Sequence, residues 1–253
     1  MNDWVLITGA SSGIGLELAR LLAADRFNLI LVARNETRLR QLADQLRTAN
    51  GIETKVVVQD LSATNAANAV FESVQGVPVS ILVNNAGLGF YGAFAQSDFN
   101  EQTQMMQVNM TALVQLTHLF LPGMLARKNG RVLNVASTAA FQPGPMVNVY
   151  YATKAFVHSF SYALSQELEG SGVTVTALCP GTTHTEFFSR GHFGSHRAPF
   201  TMSARTVAEA GYRGLMRGQH VVIPGWTNKI ASMLAKRLPL RLTTAVVRRI
   251  HSK

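Results

Sequence analysis

A tyrosine, a lysine and a serine in the second half of the chain have the types and spacing of an acid–base site. Tyr150 and Lys154 are four residues apart, and Ser137 lies thirteen positions before the tyrosine. On a helix, this i, i+4 spacing places the ammonium and the phenol on one face. A cation about 4 Å away, at an effective dielectric of about 20, would lower the phenol pKa of ~10 by roughly 3 units. The pattern predicts proton transfer by Tyr150 and not by Tyr151, which lacks the spacing to Lys154.

The amino-terminal segment has the pattern of a nucleotide-binding loop. The apolar run Val5-Leu6-Ile7 is followed by a glycine-rich turn and then by an amphipathic helical pattern. In this context the backbone N–H groups at the start of the helix bind phosphate, and the glycines let the pyrophosphate approach closely. The spacing is G-x-x-x-G-x-G. The loop residues predicted to contact a dinucleotide are Gly9, Ser11, Ser12, Gly13, Ile14 and Gly15.

Short β-rich runs alternate with longer helical patterns, which is typical of a parallel sheet with crossover helices. The runs are almost continuously apolar, as expected for strands buried on both faces. We predict an α/β fold, a Rossmann-type doubly wound parallel sheet of about seven strands with helices on both faces. The predicted strands are Val5–Thr8, Asn28–Ala33, Lys55–Gln59, Ser80–Asn84, Arg131–Ala136, Thr174–Cys179 and His220–Ile223. The predicted helices include Gly13–Ala24, Glu36–Ala49, Ala63–Val74, Asn100–Arg127 (kinked or ended by Pro122) and Ala152–Glu169.

The polar candidates fall where the predicted strands end. In a doubly wound sheet, ligands bind at the carboxyl ends of the strands, where the strand order reverses. The residues at these positions are Gly9, Arg34, Asp60, Asn84, Ser137 and Pro180. The motifs are therefore expected to converge on one crevice.

Taken in order, these motifs resemble the short-chain dehydrogenase/reductase (SDR) family, in its single-domain branch. The resemblance rests on Thr8 to Gly15, Asn84-Asn85-Ala86-Gly87, Asn109, Ser137, Tyr150 with Lys154, and Pro180-Gly181, and it covers roughly residues 1–225. It implies the strand order 3-2-1-4-5-6-7 and a tetrad of Asn109, Ser137, Tyr150 and Lys154. In that tetrad Ser137 polarises a substrate carbonyl, Tyr150 donates the proton and Lys154 holds the nicotinamide ribose. Asn109 would hold a water relay to Lys154, with a structural role in a local helix kink as the alternative.

Cofactor preference is expected to depend on the residues after the second strand. An NAD site usually has Asp or Glu there for the ribose 2′-hydroxyl, whereas this chain has Arg34, whose guanidinium suits a 2′-phosphate. We therefore expect NADP(H) in preference to NAD(H), with Ser11 and Arg38 as further contacts. Asp60 is expected at the adenine edge or as a helix N-cap. The other residues assigned to the dinucleotide are Ala33, Leu61, Asn85, Ala86, Gly87, Tyr150, Lys154, Pro180, Gly181, Thr183 and Thr185.

The segment at 186–202 is rich in Phe, Gly and His, and in the SDR family this region is a substrate-binding lid. Its phenylalanines predict an apolar substrate, although they would also suit packing on the body. The predicted substrate contacts are Ser137, Phe141, Val147, Tyr150, Phe187 and Phe188. No metal is expected, since His184, His192 and His196 have no carboxylate or cysteine at ligand spacing.

Composition limits the class of protein. The 253 residues are 47% hydrophobic, which suits one large domain, and the single Cys179 is expected in the core of a protein from a reducing, cytoplasmic setting. No apolar run reaches about 18 residues, and a strand pattern beginning at Trp4 argues against a signal peptide. We expect a homodimer or homotetramer, formed through Asn100–Arg127 and Ala152–Glu169, and no nucleic-acid partner.

The net charge of +9 is concentrated at the carboxyl end. Residues 226–253 hold seven basic residues and no acid, whereas residues 1–225 hold 16 basic and 14 acidic residues. Two apolar stripes in this tail predict short basic amphipathic helices. They are expected to pack on the body or on a neighbouring subunit, with a basic face that permits weak, salt-sensitive contact with a membrane.

The combined prediction is a reductase for a small hydrophobic ketone, aldehyde or 3-oxoacyl substrate, reversible as an alcohol dehydrogenase. Hydride transfer from a nicotinamide would be coupled to protonation by Tyr150. The alternative is a non-catalytic NAD(P)-binding regulatory protein or a membrane-associated scaffold. Such a protein would be expected to lack Tyr150 or Lys154, and both are present.

Overall fold

A computed structural model describes residues 3–187 and 201–251 of the chain. Its centre is a seven-stranded sheet whose strands are β1 (Trp4–Thr8), β2 (Asn28–Ala33), β3 (Thr54–Val58), β4 (Val79–Asn84), β5 (Gly130–Val135), β6 (Val173–Leu178) and β9 (Val221–Val222). Their order is β3-β2-β1-β4-β5-β6-β9, and every pairing is parallel. The predicted fold and strand order are confirmed. A separate two-residue ladder, not predicted from the sequence, pairs β7 (Thr183–His184) with β8 (Met202–Ser203).

Helices cover both faces of the sheet. They are α1 (Gly13–Ala24), α2 (Glu36–Asn50), α3 (Ala66–Ser73), α4 (Phe99–Met106), α5 (Ala112–Ala126), α6 (Asn148–Glu167), α7 (Ala204–Met216), α8 (Trp226–Arg237) and α9 (Leu240–His251). One core cluster packs the apolar sides of α1, α2 and α7 against the sheet, and a second packs those of α3 and α5. This two-sided burial is what the continuously apolar strands require, since neither face of β1, β2 or β4 reaches solvent.

The long fourth helix is interrupted at a different place from the one predicted. Helix α5 continues through Pro122 to Ala126, so the proline does not end it. The irregularity is a π-turn at Gln107–Thr111, between α4 and α5, and it contains Asn109. Single π-turns inside helices are frequent at functional sites because they re-aim a side chain.

Among the described residues, the stretch Phe99–Ala126 is the one helical segment long and apolar enough to cross a membrane by length and composition. Within it, Met105, Leu116 and Met124 are at most 1% exposed. Leu116 and Met124 belong to the cluster that packs on the sheet, which is the behaviour of a core helix.

A buried chain of polar side chains ties the centre of the sheet to α5 and α6. Asn84 Nδ2 donates to Thr117 Oγ1 at 3.0 Å and to Asn134 Oδ1 at 2.9 Å. Asn134 Nδ2 donates in turn to Ser161 Oγ at 2.9 Å. Buried polar groups are costly when unpaired, so these bonds set the position of α6 against β5.

Replacing Asn134 should therefore destabilise the protein more than the loss of a side chain of that size would by itself. Asn134→Ala leaves Asn84 and Ser161 short of a partner in a fully buried place and should lower the free energy of unfolding by about 2–4 kcal/mol. Denaturant unfolding followed by circular dichroism measures the effect. The matched control is Asn65→Ala on the surface, where the asparagine makes no capping bond and a change within about 0.5 kcal/mol is expected. Equal effects of the two substitutions would contradict the role of the buried chain.

Candidate active site

The ends of β1 and β4 are clamped together at the point where the strand order reverses. Thr8 Oγ1 accepts the backbone N–H groups of Asn85 and Ala86, each at 3.0 Å. The Asn85 side chain donates back to the carbonyls of Thr8 at 2.9 Å and Gly9 at 3.2 Å. Asn85 and Ala86 therefore support the glycine-rich loop, and Thr8 is a site residue whose specific role the sequence pattern did not reveal.

The glycine-rich loop is packed too tightly for side chains at its key position. A Cβ on Gly15 would lie 2.4 Å from the carbonyl oxygen of Gly9 and 2.4 Å from Asn85 Nδ2. Helix α1 begins at Gly13 with Ser12 as N-cap, and the Ser12 side chain makes no capping bond. The first N–H groups of α1 are therefore directed to the crevice, in the arrangement that suits a pyrophosphate. Ser11, Ser12 and Gly13 line this depression, together with Arg38 and Glu186.

Arg34 and Asp60 meet where β2 and β3 end. Arg34 Nη1 lies 3.6 Å from Asp60 Oδ2, and both side chains are about half exposed, at 57% and 46%. Asp60 Oδ1 accepts from both the N–H and the hydroxyl of Ser62. Burial raises the pKa of Asp60, but the bonds from Ser62 and the charge of Arg34 outweigh it, so that the pKa lies below its usual value. Asp60 is not a helix N-cap, because α3 begins at Ala66 and not at the predicted Ala63.

Arg38 is occupied by a partner that sequence reasoning missed. Its guanidinium donates to both oxygens of Glu186 at 2.8 Å, across 148 positions of the chain. Glu186 follows β7 in a segment without periodicity, so nothing local pointed to this pair.

Two further predicted cofactor residues lie nearby. Ala33 ends β2 and Leu61 is a core residue, so their backbone groups are the ones able to contact a ligand.

Ser137, Tyr150 and Lys154 are brought together at the carboxyl ends of β5 and β6. A hydrogen bond joins the side chains of Tyr150 and Ser137. Lys154 Nζ donates to the carbonyl of Val135 at 2.8 Å and lies 5.8 Å from the centre of the Tyr150 ring. The chain therefore aligns a hydroxyl, a phenol and an amine along one side of the crevice, as the spacing predicted.

The predicted lowering of the tyrosine pKa is wrong for the protein by itself. Tyr150 as a residue is half-buried, but its phenol is enclosed, and this burial raises the pKa of Tyr150 to about 12 against the opposing bond from Ser137. Burial also lowers the pKa of Lys154 to about 8. The sequence estimate placed a full charge about 4 Å from the phenol. In the structure the Lys154 ammonium faces a backbone carbonyl, and desolvation sets the direction in which the pKa of Tyr150 and the pKa of Lys154 shift.

Asn109 joins the π-turn to the loop after β4 and to α6. Its Oδ1 accepts from the N–H of Leu88 and its Nδ2 donates to the carbonyl of Leu88, both at 2.8 Å. A further bond of 3.0 Å goes to Thr153 Oγ1, next to Lys154. A Cβ on Gly87 would lie 3.4 Å from Asn109 Oδ1 and 3.5 Å from Lys154 Nζ, so both groups lie next to Gly87. The structural role left open for Asn109 is thus present, and the side chain also lies beside Lys154.

The predicted substrate residues divide into two groups. The ring of Phe187 lies 5.5 Å from the ring of Tyr150, over the candidate proton donor. Phe141 and Val147 are only 9% and 2% exposed, and Phe141 belongs to a core cluster and stacks edge-on with His158 at 5.0 Å. Their placement favours packing over a pocket wall. Phe188 lies outside the described residues.

The turn after β6 forms the far side of the crevice. The carbonyl of Pro180 accepts from the N–H of Thr138 at 2.9 Å, and Gly181 is in close contact with Asn228 of α8, since a Cβ there would lie 2.5 Å from its side chain. Thr183 is buried and its hydroxyl donates to the Gly181 carbonyl, which leaves its backbone for a ligand. The methyl group of Thr185 lies against Gly13 and joins this turn to the glycine-rich loop.

Two remaining sequence expectations concern a metal and the cysteine. The described residues contain no group of three metal-ligating side chains; His192 and His196 lie outside them. Cys179 is fully buried, and burial raises the pKa of its thiol to about 12, so it is held as a neutral core residue.

A family model for short chain dehydrogenases matches residues 3–191. The chain belongs to this family. Over 183 residues it is 41% identical to the very-long-chain 3-oxoacyl-CoA reductase of Phaeosphaeria nodorum, a match covering 70% of this chain and 54% of that protein. Over 187 residues it is 34% identical to 17-beta-hydroxysteroid dehydrogenase type 3 of Mus musculus, covering 73% of this chain and 61% of that one. The chain thus spans a little over half the length of these curated relatives.

Solved structures match more of the chain. A short-chain dehydrogenase from Sphingobium yanoikuyae in complex with NADPH superposes with a TM-score of 0.85 and 33% identity over 93% of both chains. A 7beta-hydroxysteroid dehydrogenase superposes with a TM-score of 0.88 and 28% identity over 97% of this chain and 96% of that one.

The low pKa of Lys154 can be measured directly. In protein with 13C-labelled lysine, one Cε resonance should titrate near pH 8, below the ~10.4 of a lysine in a model peptide, because burial desolvates Lys154. Between those two values the unfolded chain holds a proton that the folded chain has released, so this lysine disfavours folding increasingly as the pH falls from about 10.5 to about 8. The low titration should vanish in Lys154→Met and persist in Lys229→Met. Titration of every lysine above pH 10 would contradict the assigned environment.

Proposed function

We propose that the protein is an NADP(H)-dependent oxidoreductase that interconverts a hydrophobic ketone, aldehyde or 3-oxoacyl compound with the corresponding alcohol. The observation that carries the proposal is the hydrogen-bonded Ser137–Tyr150 pair beside Lys154, at the same sheet edge as the glycine-rich loop. Membership of the short-chain dehydrogenase family and the NADPH complex of the Sphingobium relative support it.

The residues present fit a dinucleotide. The close packing of Gly15 on the Gly9 carbonyl and the clamp between Thr8 and Asn85 hold the loop, and the first turn of α1 then offers its backbone N–H groups to phosphates. Arg34 would bind the 2′-phosphate, and Lys154 the nicotinamide ribose. A bound nicotinamide supplies the hydride.

In this proposal the chain's own contribution is to hold the carbonyl and to deliver a proton. A pKa of about 12 keeps Tyr150 protonated at neutral pH, which is the form needed to donate a proton to the oxygen of a carbonyl undergoing reduction. Ser137 donates a hydrogen bond to the same oxygen and stabilises the developing negative charge. Lys154 and Asn109, which both lie next to Gly87, are proposed to pass a proton toward Tyr150.

The substrate is proposed to be apolar next to its carbonyl group. Phe187 packs over Tyr150 and would cover the reacting carbon, excluding water from it. The named activities of the fungal and mouse relatives, on very-long-chain 3-oxoacyl-CoA and on 17-beta-hydroxysteroids, suggest acyl and steroid-like compounds as first candidates.

We also propose a homo-oligomer through α4, α5 and α6. Met105 is fully buried and cannot contribute, but Phe156 is 42% exposed and stacks on Phe160 with an interplanar angle of 3°. Phe99 at 68% and Tyr162 at 47% add exposed aromatic surface on α4 and α6. Exposed aromatic clusters of this kind are enriched at protein interfaces.

Replacing the tyrosine tests the reaction. Tyr150→Phe removes the proton donor and should reduce carbonyl reduction by about 10²–10⁴-fold while leaving NADPH affinity nearly unchanged. The assay follows NADPH absorbance with a panel of hydrophobic ketones, aldehydes and 3-oxoacyl thioesters. Tyr151→Phe is the matched control, because it removes the adjacent phenol and should retain most activity. Retained turnover in Tyr150→Phe, or equal loss at both positions, would favour a non-catalytic dinucleotide-binding protein or another donor.

Replacing Arg34 tests the cofactor preference. A charge-assisted hydrogen bond contributes about 1.5–3 kcal/mol, so Arg34→Ala should weaken NADPH binding roughly tenfold to a hundredfold and barely affect NADH. Arg40→Ala, which removes an arginine of α2 paired with Glu36, should change neither affinity. Both dissociation constants can be measured by fluorescence titration. Wild-type protein that binds NADH as tightly as NADPH would show that the preference is wrong.

A further inference from the structure

The first carboxyl-terminal helix, α8, turns its apolar stripe away from the protein. Ile230, Met233 and Leu234 are 49%, 55% and 52% exposed, whereas the polar Ser232 is 2% exposed and faces the body. Trp226, at the start of the helix, is 74% exposed. At about 100° per residue, these four apolar side chains lie on one face. The sequence expectation that the stripe docks on the body of the chain is wrong for α8.

Helix α9 follows after Pro239 and also leaves apolar side chains outside. Leu242 and Val246 are 57% and 60% exposed, while Thr243 and Val247 are each 6% exposed and turned inward. We call the outward apolar side chains of α8 and α9 the C-terminal surface. They are Trp226, Ile230, Met233, Leu234, Leu242 and Val246.

The charged side chains that α8 and α9 carry are all basic. The last acidic residue of the chain is Glu209, far before α8 begins. In the part of the chain that the structure describes, no ion pair neutralises Lys229, Arg237, Arg241 or Arg248. Arg241 and Arg248 also line a shallow groove along α9, in which Leu240 supplies an apolar wall.

The charge distinguishes between the two partners that could cover this surface, a second copy of the chain and a lipid bilayer. A two-fold contact between copies places the same patch against itself, so the cations of one copy would face those of the other without acids between them. A bilayer containing anionic lipid accommodates both features, since cations bind the headgroups and apolar side chains enter the acyl boundary. An exposed tryptophan at the edge of such a stripe suits the membrane–water interface.

We propose that the C-terminal surface docks the protein on an anionic lipid bilayer. The stripe of α8 enters the interface, and Arg241 and Arg248 bind lipid phosphates. The proposal does not rest on the proposed reductase activity and can succeed or fail without it.

Trp226 provides a built-in reporter for the test. The only other tryptophan, Trp4, is 9% exposed in β1 and insensitive to the surface. The full-length protein is mixed with vesicles of phosphatidylglycerol and phosphatidylcholine or with vesicles of phosphatidylcholine alone, at low and high salt. With the anionic vesicles at low salt, the protein should float with the lipid and its emission should shift to shorter wavelength. Trp226→Phe should lose the shift, which would assign the shift to Trp226 and not to Trp4.

Two double variants separate the electrostatic and apolar parts. Arg241→Gln/Arg248→Gln should weaken partition onto anionic vesicles by about thirtyfold, at about 1 kcal/mol per cation near the surface. Arg40→Gln/Arg47→Gln lowers the net charge equally on the exposed side of α2 and should have little effect. Met233→Ser/Leu234→Ser changes two exposed positions and should abolish the emission shift.

Three results would overturn the proposal. The first is no flotation of the intact protein with anionic vesicles at low salt. The second is equal weakening of vesicle binding by the two double arginine substitutions, which would show that binding depends only on the net charge of the protein. The third is a concentration-dependent oligomer, seen by sedimentation velocity, that Met233→Ser/Leu234→Ser dissociates while vesicle binding is absent. That result would assign the surface to a second copy of the chain.

Discussion

The site depends on the clamp between β1 and β4, where the strand order of the sheet reverses. If β1 and β4 separated at this point, the carboxyl edge of the sheet would have a gap. The Thr8 hydroxyl and the Asn85 amide prevent this with four hydrogen bonds to backbone groups. The same contacts hold the glycine-rich loop and leave no space for a side chain at Gly15. Because all strands of this sheet are parallel, every other candidate group then lies along the same edge.

Helix α6 carries the acid–base residues, and two polar networks fix its position. Asn134 binds Ser161 from the sheet side, and Asn109 binds Thr153 from the π-turn. Their buried bonds hold Tyr150 and Lys154 at the crevice, where no ion pair from the described residues compensates the lysine. Desolvation then favours the neutral form of both groups, which raises the tyrosine pKa and lowers the lysine pKa. A phenol that stays protonated and an amine that titrates near pH 8 are suited to proton donation in neutral solution.

Helix α8 connects the crevice to the C-terminal surface. On one side Asn228 packs against Gly181 at the far wall of the crevice, and Lys236 lies 4.4 Å over the ring of Phe141, which follows Ser137. On the other side the same helix presents its apolar stripe to the surroundings. If the surface docks on a bilayer as proposed, the crevice lies one helix away from the lipid. This arrangement suits the apolar substrates proposed for the site, because they concentrate in membranes.

The sequence by itself determined the parts of the protein that depend on neighbours along the chain. Continuous apolar runs specified the strands, the glycines after β1 specified a tight loop before α1, and the i, i+4 spacing placed Tyr150 and Lys154 on one face of α6. The order of these elements was enough to place the candidate residues at one sheet edge, since parallel strands all end on the same side.

Only the tertiary structure decided the properties that depend on distant residues sharing a small space. The pKa direction of Tyr150 followed from enclosure by the fold, and the partner of Arg38 was Glu186, from a segment with no pattern. The break in the fourth helix came from the π-turn, in which Asn109 bonds to Leu88 and Thr153, and not from Pro122. The stripe of α8 faced outward because the side of that helix that packs on the body carries the small, buried Ser232 and Asn228, which fits closely against Gly181. Periodicity shows that a helix has two faces, but the surface it meets decides which face is buried.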